Sequence, residues 1–158
     1  MPIFNNLKAL ETHLKAKINE TLMDDVAAAV RKVEQSQIQK TVYDATKPRG
    51  YDRRKESGGL VDPDNITAEL SGDGVLKIRN VTKPNMEYET SMEYDDDLPS
   101  LIEYGDGYDG MEYDYDRSDG TDYEYKNPRP FTENTRNELI KTKQHIIALQ
   151  KGLNRRGI

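Results

Sequence analysis

Three groups of side chains in this sequence have types and spacings that could do chemistry. The first is acidic. Asp114-Tyr115-Asp116-Arg117-Ser118-Asp119-Gly120 approaches a calcium-binding loop, which alternates oxygen ligands, turns at a glycine in its sixth position and closes with a bidentate Glu in its twelfth. Here the sixth position is Asp119, the glycine comes one residue late, and the twelfth position is Tyr125. A solvated or partner-binding acidic loop fits better than a cation cage. The second group is basic: Lys47, Arg49, Arg53, Arg54 and Lys55 around Tyr51, with Arg155 and Arg156 near the end. Such cations engage either phosphate or carboxylates of a protein surface. Arg and Tyr are favoured interface residues, so protein–protein salt bridges are the preferred reading. The third group is the two histidines, His13 and His145, which fall within helical patterns and read as solvated side chains.

None of this amounts to a reaction centre. Carboxylates are abundant, but abundance without a pocket is no sign of acid–base work. The chain has no Gly-rich phosphate loop, no G-x-S-x-G and no H-E-x-x-H. The expectation is a non-enzyme with no cofactor and no metal.

Composition shapes the same expectation. Of 158 residues, 34% are hydrophobic and 33% charged, so the core must be small for the length, with part of the chain ordered by partners. There is no Cys, which removes disulfides and thiol chemistry. No apolar run approaches the roughly 20 residues that span a bilayer, and the first residues lack a signal-peptide pattern. A soluble protein made in a cytoplasm, with no membrane partner, is expected. The net charge of −6 conceals a division. Residues 87–126 hold fifteen Asp or Glu against Arg117 and Lys126, and eight of the ten tyrosines. The rest of the chain is basic, and asymmetry of this kind concerns partners or assembly.

The elements that position these groups follow from periodicity. Residues 7–44 read as helical, with Leu7, Leu10, Leu14, Ile18, Leu22, Val26, Val30, Val33, Ile38 and Val42 on one stripe. So long a helix predicts a break near residues 19–21, with Thr21 capping the second part. Residues 45–65 form a hinge, where Pro48 and Gly50 stop the helix. Residues 66–82 form a β-hairpin, with Leu76, Ile78 and Val81 facing inward. Residues 87–127 are the acidic Tyr-rich segment, containing a short helix capped by Asp97 and a long loop from 106. A final helix over 132–152 is capped by Thr132, ended by Gly152 and underlain by Phe131. The fold class is α+β: a single domain of a long N-terminal helix and a C-terminal helix on a small antiparallel sheet.

Val42-Tyr43-Asp44, Pro48, Tyr51-Asp52-Arg53-Arg54 and Gly58-Gly59-Leu60 together resemble the signature of small neck or tail-component proteins of tailed bacteriophages. Leu101-Ile102-Glu103-Tyr104-Gly105 before a variable loop, Pro128-Arg129-Pro130-Phe131 before the last helix, and the ending from Leu149 to Ile158 resemble the same family from about residue 20 onward. The richness of 106–127 in Tyr and acids and the length of the leading helix depart from it. The resemblance implies a structural virion protein: a ring subunit, six-fold, at the head–tail junction, completing or terminating the tail or joining it to the connector. It implies partners among neck, connector and tail-tube proteins, with DNA passing through the ring without specific binding. The expected contact residues are Tyr51, Arg53, Arg54, Tyr104, Tyr108, Tyr113, Tyr115, Arg129, Phe131, Arg155 and Arg156. A DNA-mimic inhibitor acting through the acidic segment and a transient assembly chaperone are the competing readings.

Overall fold

The computed structural model describes residues 6–45, 54–72, 74–83, 98–104 and 128–158, with Leu101 described by its backbone alone. The fold is α+β, built on one long rod. The rod begins at Asn6, whose side chain accepts a hydrogen bond from the Ala9 amide at 2.8 Å and so satisfies one of the free donors at a helix start. It then runs through α1 (Leu7–Thr21), a π-helical turn (Leu22–Val26), α2 (Ala27–Ile38) and a second π turn (Gln39–Tyr43). The backbone stays in the right-handed helical region across every junction. At 1.5 Å per residue the rod is roughly 55 Å long.

The expected break at 19–21 is therefore absent. Thr21 caps nothing: it is fully buried inside the helix, and its hydroxyl donates to the Lys17 carbonyl at 2.8 Å. A widened turn takes the place of a break. The Ala27 amide reaches back to Leu22 and the Asp44 amide to Gln39, the i→i+5 pattern of π-bulges.

Past the rod, Asp62 organises a tight connection. Its carboxylate accepts from the Gly58 amide at 2.6 Å and the Asp64 amide at 3.0 Å, which holds its pKa below the usual value. A 3-10 turn (Pro63–Asn65) leads into β1 (Ile66–Leu70), which pairs antiparallel with β2 (Leu76–Asn80) in the register Ile66↔Asn80 to Leu70↔Leu76. Arg31 ties β1 to α2 through the Ile66 carbonyl at 2.7 Å, and the Gly74 amide meets the Asn19 side chain at 3.1 Å. Thr67, Glu69, Lys77 and Arg79 face solvent. Val81, expected inward, is 46% exposed, while Thr82 is buried. Period-two alternation explains this: Leu76, Ile78 and Asn80 set the inward parity, and that parity selects residue 82.

Short α3 (Leu98–Tyr104) and then α4 (Phe131–Thr142) and α5 (Gln144–Arg155) complete the described elements. The single final helix expected over 132–152 is in fact these two. Lys143 separates them with a left-handed backbone, φ 57°. Gly152 does not end a helix either; it lies within α5, buried against the rod.

Thr132 is not the cap of α4. The cap is Glu103 on α3, whose carboxylate accepts from the Thr132 amide at 2.8 Å and the Glu133 amide at 3.0 Å. A carboxylate there satisfies two free donors and meets the positive end of the helix dipole. Glu103→Ala should cost about 1 kcal/mol, the usual worth of a helix cap, read as a lower denaturation midpoint in urea with an unchanged slope.

The core gathers at one end of the rod. Ile38, Val42, Leu60, Val61, Ile66, Ile102 and Phe131 pack together, with Tyr43, Ile78 and Leu98 against them. Gln35 and Asn80 satisfy the Val61 and Leu60 carbonyls beneath it, at 2.7 and 2.8 Å. At the other end, Leu10, Leu14 and Ile18 are half-buried and Leu7 is 83% exposed. Within α1 only Thr21 is buried.

Candidate interaction surface

The basic residues expected to meet partners divide into those the chain uses itself and those it leaves on the surface. Tyr43, at the end of the rod, fastens the connector. Its hydroxyl donates to the Arg54 carbonyl at 2.7 Å and accepts from the Leu60 amide at 3.2 Å. Lys55 places its ammonium 5.8 Å from the same ring, within cation–π range. The Arg54 side chain is exposed but donates to the Lys83 carbonyl at 2.7 Å, linking the connector to the exit of β2. Gly59 makes this turn possible: a Cβ there would collide with the Arg54 and Lys55 carbonyls.

Arg129 and Phe131 are interior, not surface. Phe131 is fully buried in the core and Arg129 is 7% exposed. The Arg129 amide donates to the Ile102 carbonyl at 2.9 Å, so the segment before α4 is drawn against α3 and carries both side chains inward. Both side chains are thus buried within the chain.

Arg155 and Arg156 form a clasp with the rod. Arg156 donates to Asp25 at 2.5 Å and to Asp24 at 2.6 Å, with Glu20 at 3.6 Å, and Arg155 donates to Asp25 as well. The first π turn carries Asp24 and Asp25. Hydrogen bonding from Arg155, then from Arg156, holds the Asp25 carboxyl below its usual pKa, and the same contacts hold Arg156 protonated. Both guanidinium groups are thus neutralised within the chain. Tyr104 ends α3 at 66% exposure. Tyr51, Arg53, Tyr108, Tyr113 and Tyr115 lie outside the described residues, as do the acidic calcium-like run, Pro48, Gly50, Asp97 and the loop from 106. Among the described residues no group of His, Cys, Asp and Glu could hold a metal ion, and no helix is long and apolar enough to cross a membrane.

The YomN family model matches residues 6–155, nearly the whole chain. The chain belongs to the YomN family. That name is phage-derived, which makes this a phage-associated protein. No curated protein and no solved structure matches it.

Two features of this YomN-family chain escaped the pattern of its sequence. Glu34 is a buried carboxyl, 8% exposed, on the inner face of α2. Burial raises its pKa to about 7; a hydrogen bond with Asn80 opposes the shift and the nearby Glu103 charge adds to it. Its place between Val33 and Ile38 on the stripe was the available signal. The second feature is apolar surface at the turn between α4 and α5, where Ile140, Ile146 and Ile147 are exposed. His145, expected as a solvated side chain, is half-buried, and its Nδ1 is shielded without a hydrogen-bond partner among the described residues. It shares the inner face of α5 with Leu149 and Gly152, which draws it against the rod.

Proposed function

We propose that this chain is a structural virion protein of a tailed phage. It acts as a ring subunit at the head–tail junction, six copies to the ring, completing or terminating the tail or joining it to the head connector. Membership of a phage-associated family supplies the setting. The observation that carries the reading is the distribution of apolar surface. The core occupies one end of a rod roughly 55 Å long, while Leu7 at the other end and the isoleucines of α4 and α5 stand in solvent. Neighbouring subunits cover surface of this kind when a heterologous contact closes by rotation. Residues neutralised within the chain, Arg155 and Arg156 above all, hold the subunit together and leave recognition to other side chains.

Electron microscopy of lysates from a phage lacking the gene tests the proposal. Full heads beside separate tails of normal length are expected for a joining or completion protein, and tails of irregular length for a terminator. Normal infectious particles would sink the neck reading and bring forward an inhibitor of a DNA-binding enzyme. Particles that need the gene but lack the protein would assign it to a transient chaperone.

A further inference from the structure

The corner between α4 and α5 carries a pattern that the clasp and the core leave unused. Arg136 and Ile140 stand four residues apart on α4, and Ile147 and Lys151 four apart on α5, so each pair shares one face of its helix. Lys141 and Lys143 lie between them at the corner. All six are exposed, Ile140 by 51% and Ile147 by 43%. Among the described residues no side-chain hydrogen bond or ion pair engages any of these four cations. Arg155 and Arg156 of the same helical region are, by contrast, fully occupied by Glu20, Asp24 and Asp25.

We propose that this corner is the docking site for residues 105–126 of a second copy of this chain. Charge complementarity carries the assignment. Residues 105–126 contain eight Asp or Glu and five Tyr against Arg117 and Lys126. Their carboxylates match the unpaired cations. Their tyrosines match the isoleucines set among those cations, since Tyr supplies rigid apolar area with a polar tip at low entropic cost. Duplex DNA would offer phosphates to the lysines and nothing to cover the isoleucines. Every copy carries both halves of the contact, so the interaction is heterologous and repeats from one copy to the next.

Trans-complementation of two full-length-fold variants tests this. Lys141→Glu with Lys151→Glu reverses the corner and keeps the segment. Deletion of residues 106–125 removes the segment and keeps the corner. By sedimentation velocity at low salt, the unaltered chain associates, and each variant alone loses association by about tenfold or more, as truncated charge pairs at interfaces do. An equal mixture of the two regains one contact per pair and sediments as a heterodimer. Where circular dichroism shows that the deletion disturbs the helices, Tyr108→Ser, Tyr113→Ser and Tyr115→Ser replace it. A charge-reversed chain that assembles normally, a mixture that stays monomeric, or an unaltered chain that stays monomeric at its solubility limit overturns the proposal. Duplex-DNA binding lost with the two lysines, without association of the mixture, overturns it in favour of nucleic acid. The proposal stands apart from the neck assignment: the lysate phenotype tests one and solution assembly the other.

Discussion

At pH 8, Glu34→Gln should be more stable than the unaltered protein by up to about 3 kcal/mol, and at pH 4.5 the advantage should all but vanish. The folded-state pKa of Glu34 is about 7, against 4.5 for a free Glu side chain, and each unit is worth about 1.4 kcal/mol. Burial is the main cause, because an ionised carboxyl loses its water in the interior. At pH 4.5 about half of the unfolded chains carry the charge, and well below that pH the group is protonated both folded and unfolded and its contribution to stability is complete. As the pH rises the unfolded chain ionises first, and stability is lost progressively until the folded group ionises near pH 7. Gln keeps the shape and an acceptor for the Asn80 amide and cannot ionise. For a chain of this length, 3 kcal/mol corresponds to roughly 6–12 °C in Tm. The quantity to measure is the difference between variant and unaltered protein in thermal unfolding at the two pH values. Raw slopes mislead, because Asp25 and Asp62, whose pKa values are lowered, withdraw stability as the pH falls. Parallel profiles for the two proteins would show that Glu34 is not buried as described.

Gly152→Ala should destabilise by about 1–3 kcal/mol, the usual cost of overpacking, where an ordinary helical position would gain up to about 1 kcal/mol from the same change. The sign reversal arises because a Cβ at 152 would fall on Thr21 Cγ2 and the Asp25 carboxylate. Neither neighbour can give way easily. Thr21 is fully buried and its hydroxyl is committed to Lys17, and Asp25 is held by two arginines. Alanine must therefore push α5 off the rod or open the clasp. Urea denaturation measures the loss. Adding Thr21→Ser removes the nearest methyl, and the double variant should recover part of it, a coupling that independent sites do not show. A stabilised or neutral Gly152→Ala protein would mean that α5 does not approach the rod this closely.

What the sequence showed and what it hid differ by range. The hairpin was legible because its signals are local: period-two alternation in Leu76, Ile78 and Asn80, and glycines at 72 and 74. The rod was legible too, and so, in retrospect, was its widening. Leu14, Ile18, Leu22, Val26 and Val30 repeat every four residues, more than the 3.6 of an α-helix, and a π turn absorbs that drift. The C-terminal half was read less well because its determinants are distant. The cap of α4 comes from Glu103, some thirty residues earlier in the chain. Nothing in Thr142-Lys143-Gln144 announces a left-handed lysine, which tertiary packing must hold against its intrinsic cost. Gly152 looked like a terminator because glycine serves both as a stop and as a point of close approach, and only the position of the rod decides between them. Of the candidate contact residues, Phe131 was placed by its own hydrophobicity, whereas the fate of Arg155 and Arg156 depended on acids about 130 residues away.

That last separation has a consequence for the order of events on the ribosome. The clasp joins positions 130 to 132 residues apart, so it can form only after the rod, the hairpin and α4 have all been synthesised. At about 5–20 residues per second, the rod leaves the exit tunnel several seconds before the helices that flank it. During that interval the rod already has the connector and hairpin to pack against, through Gln35 on the Val61 carbonyl and Arg31 on the Ile66 carbonyl, while Asp24 and Asp25 still lack their arginines. A chain that stops short of Arg155 and Arg156 cannot close the clasp onto Asp24 and Asp25, so α5 and the rod are locked together only after both have left the ribosome.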